Sequence, residues 1–283
     1  MKILTFDIED WFHILDNPST RGINEWSKFE SRLAKNMDLI LQILAEKKLK
    51  ATFFCVGWIA EKHPEQIKRI VEAGYEIGSH THLHQLVYEQ KPKEFDLDLM
   101  KSIDVLENIS GKKVKYFRAP GFSITNETPW AFESLLKNGI EIDSSVFPTK
   151  RSHGGYENFG SNEPVWIELN GMKLKEFPIN TNKFFYQDLI FSGGGYFRIL
   201  PYPLIKKLSQ NSNYVMSYFH PRDFDKDQPI VPGLNRIRKF KSYYGLSETE
   251  NKLNKWLTDF DFLDLNQANQ LINWENIKIN KIL

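Results

Sequence analysis

Short apolar runs alternate with stretches of helical periodicity through the first half of the chain. Residues 2–6 read as a strand that ends in acids at Asp7. Between positions 30 and 47 the apolar residues Leu33, Met37, Ile40, Leu41 and Leu44 recur at the spacing of one helix face. Residues 51–56 read as a strand closed by Gly57. Residues 63–73 predict a helix with Pro64 in its first turn, a favourable place for proline, and Gly74 is placed to end it. Strands at 75–79, 115–118 and 140–143 alternate with helices at 93–109 and 129–137. Strand and helix in this order argue for parallel β/α units. Asp7, His80, Arg118 and Asp143 all fall at or just past strand ends, the rim on which parallel barrels carry their catalytic groups.

The second half is less regular. Residues 148–162 read as loop. Residues 165–168 and 173–177 flank Leu169-Asn170-Gly171-Met172, a hairpin signal. Residues 192–198 read as a glycine-rich loop, 203–209 as a helix and 214–219 as a strand ending at His220. Helices are expected at 236–243 and 248–257, then a last strand and helix. No internal repeat or low-complexity tract interrupts the pattern.

Charge removes several function classes. The 283 residues carry 37 Lys plus Arg against 36 Asp plus Glu. That balance argues against a nucleic-acid footprint and against a polybasic membrane anchor. The single cysteine, Cys55, excludes an intrachain disulfide framework and a Cys-rich zinc module. The apolar start is too short for a signal-peptide core, and no run approaches the ~18–20 residues of a membrane span. A cytoplasmic protein without stable membrane insertion is expected.

The chemistry concentrates in two segments. In His80-Thr81-His82-Leu83-His84, the first and last imidazoles are four apart, which suits one helical turn offering both to one cation. A catalytic divalent site needs a third ligand, often a carboxylate. The candidates lie in Asp7-Ile8-Glu9-Asp10: Asp7 and Glu9 share a face if the strand continues, and Asp10 swings in if the chain turns. Two carboxylates and two histidines allow metal-assisted hydrolysis, with one carboxylate taking a proton from the attacking water. His220, on another strand, is placed to protonate a leaving amine.

These segments resemble the motifs of the NodB-homology polysaccharide deacetylases, carbohydrate esterase family four. Thr5-Phe6-Asp7-Ile8-Glu9-Asp10 stands for the family's Thr-Phe-Asp-Asp-Gly, and His80-Thr81-His82-Leu83-His84 for its His-Ser/Thr-x-x-His. Arg118-Ala119-Pro120-Gly121 is close to its Arg-x-Pro-x-Gly, Asp143-Ser144-Ser145 matches its Asp-x-Ser, and His220 is its late histidine. The departure is Ile8, where the family has a second aspartate; isoleucine binds no metal.

The resemblance implies a distorted parallel (β/α) barrel of about seven strands with an inserted hairpin and a C-terminal extension. It implies one catalytic domain over residues 1–283, in which roughly 222–283 is the extension packed on the barrel. Asp7 is then the base and His80 and His84 are metal ligands. Arg118 holds Asp7 ionised, and Asp143 pairs with His220 to keep it protonated as the acid. Glu9 is the favoured third ligand, with Asp10 as the fallback. Zinc suits such a set, although other divalent ions fit it too.

Phe191-Ser192-Gly193-Gly194-Gly195-Tyr196-Phe197-Arg198 and His220-Pro221-Arg222-Asp223-Phe224-Asp225 are similar to a subfamily found near exopolysaccharide and O-antigen loci. Gly194, Gly195, Tyr196 and Arg198 are candidates to grip substrate, as are Gly121, Phe122 and His153. The implied activity is removal of an N-acetyl group from an amino sugar of a glycan or glycan precursor, lipid-linked or nucleotide-linked, with release of acetate. The competing expectations are an amidase of small cyclic or ureido compounds and a carbohydrate-binding relative that has lost catalysis.

Overall fold

The computed structural model describes residues 1–15, 17–149, 154–184 and 187–282. Its strands are β1 (Lys2–Ile3), β2 (Thr5–Ile8), β3 (Thr52–Cys55), β4 (Glu76–Ser79), β5 (Tyr116–Phe117), β6 (Ile142–Asp143), β7 (Val165–Leu169), β8 (Met172–Glu176), β9 (Asn182–Phe184), β10 (Gln187–Leu189), β11 (Val215–Met216) and β12 (Ile279–Lys281). Strands β2 to β6 pair in parallel in chain order, and β8 continues the parallel wall on β6. β7 lies antiparallel on β8 as the inserted hairpin, and β12 pairs in parallel with β7. Asn170 and Gly171 both take positive φ, at 51° and 77°, as a two-residue hairpin turn requires.

On the other side β1 pairs in parallel with β11, and bridges from Phe6 to Phe219 and from Gly193 to Tyr218 carry the wall round. Side chains complete it: Met216 N donates to Asn180 Oδ1 at 3.0 Å, and the Tyr214 hydroxyl donates to Pro178 O at 2.8 Å. The result is a distorted parallel β/α barrel.

Period-two alternation sorts the side chains between two cores. Phe6, Ile8 and Phe53 face outward to the helices, among them Leu33–Lys47, Pro64–Glu72 and Pro92–Ser110. Phe54, Tyr116, Ile142, Phe177 and Met216 fill the barrel. On β2 this leaves Thr5 and Asp7 pointing inward, and both are buried. The C-terminal residues join the same body. Trp256, on helix Leu246–Asp259, is fully buried against Phe191, Phe197 and Phe219. No helix among the described residues is long and apolar enough to cross a membrane.

Three local expectations are corrected. Gly57 opens a short helix, Gly57–Lys62, instead of closing a strand, and a Cβ there would lie 2.5 Å from His82 Nδ1. The glycine-rich run enters a helix at Gly194–Ile199. The last helix, Leu265–Leu271, precedes the last strand.

Candidate active site

Arg118 organises the barrel mouth. It is fully buried, and its guanidinium stacks 4.3 Å from the Phe54 ring. Nη1 donates to Asp7 Oδ1 at 2.8 Å and to Thr5 Oγ1 at 2.7 Å. Nε and Nη2 donate to the Ser144 carbonyl and hydroxyl at 3.2 and 3.0 Å. One oxygen of Asp7 is thereby fixed, and the other, Oδ2, turns towards His220 Nε2 at 3.9 Å.

Glu9, His80 and His84 converge beside this pair. Their ligand atoms all lie within 4.8 Å of one another and all three residues are buried. Glu9 Oε2 and His84 Nε2 are 2.8 Å apart. Burial alone would push the Glu9 carboxyl up, but the facing imidazoles of His84, His220 and His13 outweigh it and bring it to about 2. Burial depresses His80 to about 4 despite Asp7 nearby. His80 is therefore neutral; its Nδ1–H donates to Arg118 O at 2.6 Å, which leaves Nε2 as the ligand atom.

The histidine segment is a loop rather than the expected helical turn. Thr81 and His84 hold positive φ, at 61° and 51°, an unfavourable conformation for both residue types that the surroundings must enforce. Asp98, on helix Pro92–Ser110, does so by accepting from His82 N at 2.7 Å and Leu83 N at 2.9 Å. One carboxylate and two imidazoles make a donor set that fits a divalent cation.

Asp10 is drawn elsewhere. Its carboxylate accepts from the Ser31 hydroxyl, from Trp11 N at 2.8 Å and from Arg32 N at 3.2 Å, fixing the approach to helix Leu33–Lys47. It takes no part in the cluster of Glu9, His80 and His84.

The partner of His220 is Asp223, not Asp143. His220 Nδ1 lies 3.0 Å from Asp223 Oδ2, which also accepts from His220 N at 2.9 Å across the turn that Pro221 starts. Asp223 Oδ1 accepts from Arg198 Nη1 at 2.7 Å. Burial opposes charge on His220, yet Glu9, Asp223 and Asp7 outweigh it and raise the imidazole to about 9. The Asp223 carboxyl is held well below its usual range because Arg198 and His220 together overcome its burial.

Asp143 points into the barrel, where Ser145 Oγ donates to it at 2.5 Å and Glu176 from β8 faces it. Burial and the neighbouring Asp143 carboxylate push the Glu176 carboxyl well above its ordinary range. The inserted hairpin thus supplies a partner that takes Asp143 away from His220.

The expected substrate grips have mostly structural contacts. Arg198 is buried between Asp223 and the Lys241 carbonyl, to which Nη2 donates at 2.7 Å. Gly194 N donates to Tyr218 O at 3.0 Å, and a Cβ on Gly193 would sit 2.0 Å from that oxygen, so the run serves close backbone approach. Gly195 packs beside the Lys241 carbonyl, and Tyr196 is exposed. Phe122 is buried against Tyr218 and Phe147, and Gly121, with φ of 61°, packs on Leu15 and Leu86. His153 lies outside the described residues.

A group missed in the sequence is His13. Its Nδ1 accepts from Asp10 N at 3.1 Å, which puts the proton on Nε2. That buried Nε2 has no partner among the described residues. His13, Trp26, His84, Gln85, Arg21 and Glu89 line a cavity of about 340 Å³ beside the cluster. The signal was the aromatic run Trp11-Phe12-His13 directly after the acids.

A family model described as polysaccharide deacetylase matches residues 19–139. Residues 19–139 are thus similar to polysaccharide deacetylases. A second model, a domain of unknown function (DUF3473), matches residues 144–270. The chain is 33% identical over 107 residues to a peptidoglycan deacetylase of Helicobacter pylori, covering 38% of this chain and 36% of that protein. It is 36% identical over 95 residues to a peptidoglycan-N-acetylglucosamine deacetylase of Bacillus cereus, covering 33% and 34%. The matched deacetylase segment thus spans about a third of the length of these relatives. A crystal structure titled as a polysaccharide deacetylase from Mycobacterium smegmatis superposes over 100% of this chain and 93% of its own, with a TM-score of 0.66 at 18% identity. That likeness is one of fold and runs over both matched regions.

Proposed function

We propose that the protein is a metal-dependent hydrolase that removes the N-acetyl group from an amino-sugar residue of a glycan or glycan precursor. The observation that carries this reading is the buried set of Glu9, His80 and His84 with Asp7 and His220 on its flank. Glu9, His80 and His84 would hold the cation, zinc by ligand type, and a bound cation supplies Lewis-acid polarisation of the acetyl carbonyl.

The protein's own groups handle the protons. Asp7 Oδ2, left free by the bond from Arg118 to Oδ1, takes a proton as water attacks the acetyl carbon. His220 donates Nδ1–H to Asp223, so its Nε2–H faces the site. As the C–N bond breaks, that proton passes to the leaving nitrogen, giving acetate and a free amine. The cavity beside His84 offers a place for the sugar, with the His13 Nε2–H, unpaired among the described residues, as a donor to a hydroxyl or carbonyl.

The test is acetate release from N-acetylglucosamine oligomers by the zinc-loaded chain and by the same chain stripped with chelator. Release that disappears on stripping and returns with zinc is expected. A loaded chain that releases acetate from no N-acetylated sugar overturns the proposal.

Asp223→Asn gives a finer check. Removing the anion beside His220 lowers its pKa, and the protonated form is the acid. The alkaline limb of kcat/KM is therefore expected to move to lower pH by about one unit or more. An unmoved limb in a folded variant assigns the proton donor elsewhere.

A further inference from the structure

Helix Arg236–Tyr243 is built the wrong way round for a surface helix that packs on its own protein. None of its residues is buried. Its apolar side chains point outward: Ile237 is 69% exposed, Phe240 53%, and Tyr244, at the cap, 50%. The spacing i, i+3, i+7 puts them on one stripe. Polar contacts hold the helix on the body: Tyr243 Oη accepts from Val231 N at 2.7 Å and donates to Pro229 O at 3.1 Å, and the backbone and Arg238 add to these. Lys241 O accepts from Arg198 at 2.7 Å, and Arg238 Nη2 donates to Leu15 O at 2.5 Å.

The stripe is flanked by positive charge. Arg236, Arg238, Lys239 and Lys241 occupy four of six consecutive positions, and no acid occurs between Asp227 and Glu248. Whole-chain charge near balance concealed this local run. Two more large apolar side chains, Tyr196 and Ile199, are exposed on the adjoining short helix Gly194–Ile199. Exposed aromatic and aliphatic side chains among basic residues, on a helix too short to span a bilayer, match the chemistry of the membrane interface. The apolar stripe enters the headgroup boundary and the cations meet anionic lipid headgroups.

We propose that helix Arg236–Tyr243 docks the protein on an anionic lipid surface. This does not rest on the deacetylase reading. It does place the reaction centre by the docked face, because three hydrogen bonds in series join the helix to the catalytic histidine: Lys241 O to Arg198, Arg198 to Asp223 and Asp223 to His220, at 2.7, 2.7 and 3.0 Å. An acceptor held at a bilayer would meet the site there.

The test is co-sedimentation of the full chain with phosphatidylcholine vesicles, with and without phosphatidylglycerol, at low and at high salt. Binding is expected on the anionic vesicles only, and salt should weaken it. Ile237→Ser with Phe240→Ser, and separately Arg236→Glu with Lys239→Glu, should each lower the bound fraction about tenfold or more. Their circular dichroism and melting temperature should be unchanged, because none of these side chains is buried. Three results would overturn the proposal: a wild-type chain that ignores anionic vesicles, folded variants that bind as well as the wild type, or a dimer in light scattering that the Ile237→Ser, Phe240→Ser variant dissociates. The last would make the stripe a contact between two copies.

Discussion

Arg118→Met is expected to cost the fold about 3–5 kcal/mol, the range for breaking a buried ion pair from one side. Arg118 is 0% exposed and its side chain makes four hydrogen bonds, with Asp7, Thr5 and Ser144 as partners. Methionine refills much of the volume against Phe54, so packing is a minor part of the loss. The larger part is Asp7, left inside the barrel with only His220, 3.9 Å from its other oxygen, to offset its charge. Urea unfolding followed by circular dichroism measures the change. Adding Asp7→Asn to Arg118→Met removes the stranded charge and should recover a good part of the loss, since replacing both members of a buried pair is often nearly neutral. A loss below about 1 kcal/mol in the single variant would mean that solvent reaches Asp7 once the arginine is gone.

The barrel was legible because its parallel strands are short, apolar and separated by helices of clear periodicity. The helix Leu33–Lys47 and the strand Thr52–Cys55 fall within a few residues of their expected bounds. The site residues were legible as types at strand ends: Asp7, His80, Arg118 and His220 do meet at one mouth. What order along the chain does not encode is which acid faces which base. Asp143 and Asp223 were equally available to His220 by type. The choice fell to Asp223 because Pro221 starts a tight turn that brings residue 223 back onto the imidazole, while the hairpin strand β8 brings Glu176 to Asp143. The spacing His220-Pro221-x-Asp223 was the overlooked local signal. The glycine run misled for a related reason. Glycine marks close approach of backbone, and here the approaching backbone is the chain's own at Tyr218. Asp10 shows the same limit, since its partners at Ser31 and Arg32 lie about twenty residues along the chain.

Asp7→Asn should lower kcat for acetate release by about 10²–10⁴, the contribution of a positioned general base. The substitution keeps an oxygen to accept from Arg118 Nη1 and keeps the shape of the side chain, but it removes the group that receives the proton. Asp7 is not one of the three clustered ligands, so the variant should still take up its cation. Glu9→Gln should behave differently, because it replaces the only anionic member of that set; cation affinity and activity should fall together. Metal content measured beside kcat separates the two cases. Asp7→Asn with cation bound and turnover gone assigns the base to Asp7. Asp7→Asn with turnover within about tenfold of the wild type would move the base to another carboxylate, and Glu9, 3.9 Å from His220, would then have to serve as both ligand and base. The strongly depressed Glu9 carboxyl argues against that second role, since so weak a base gives little driving force for taking a proton from water.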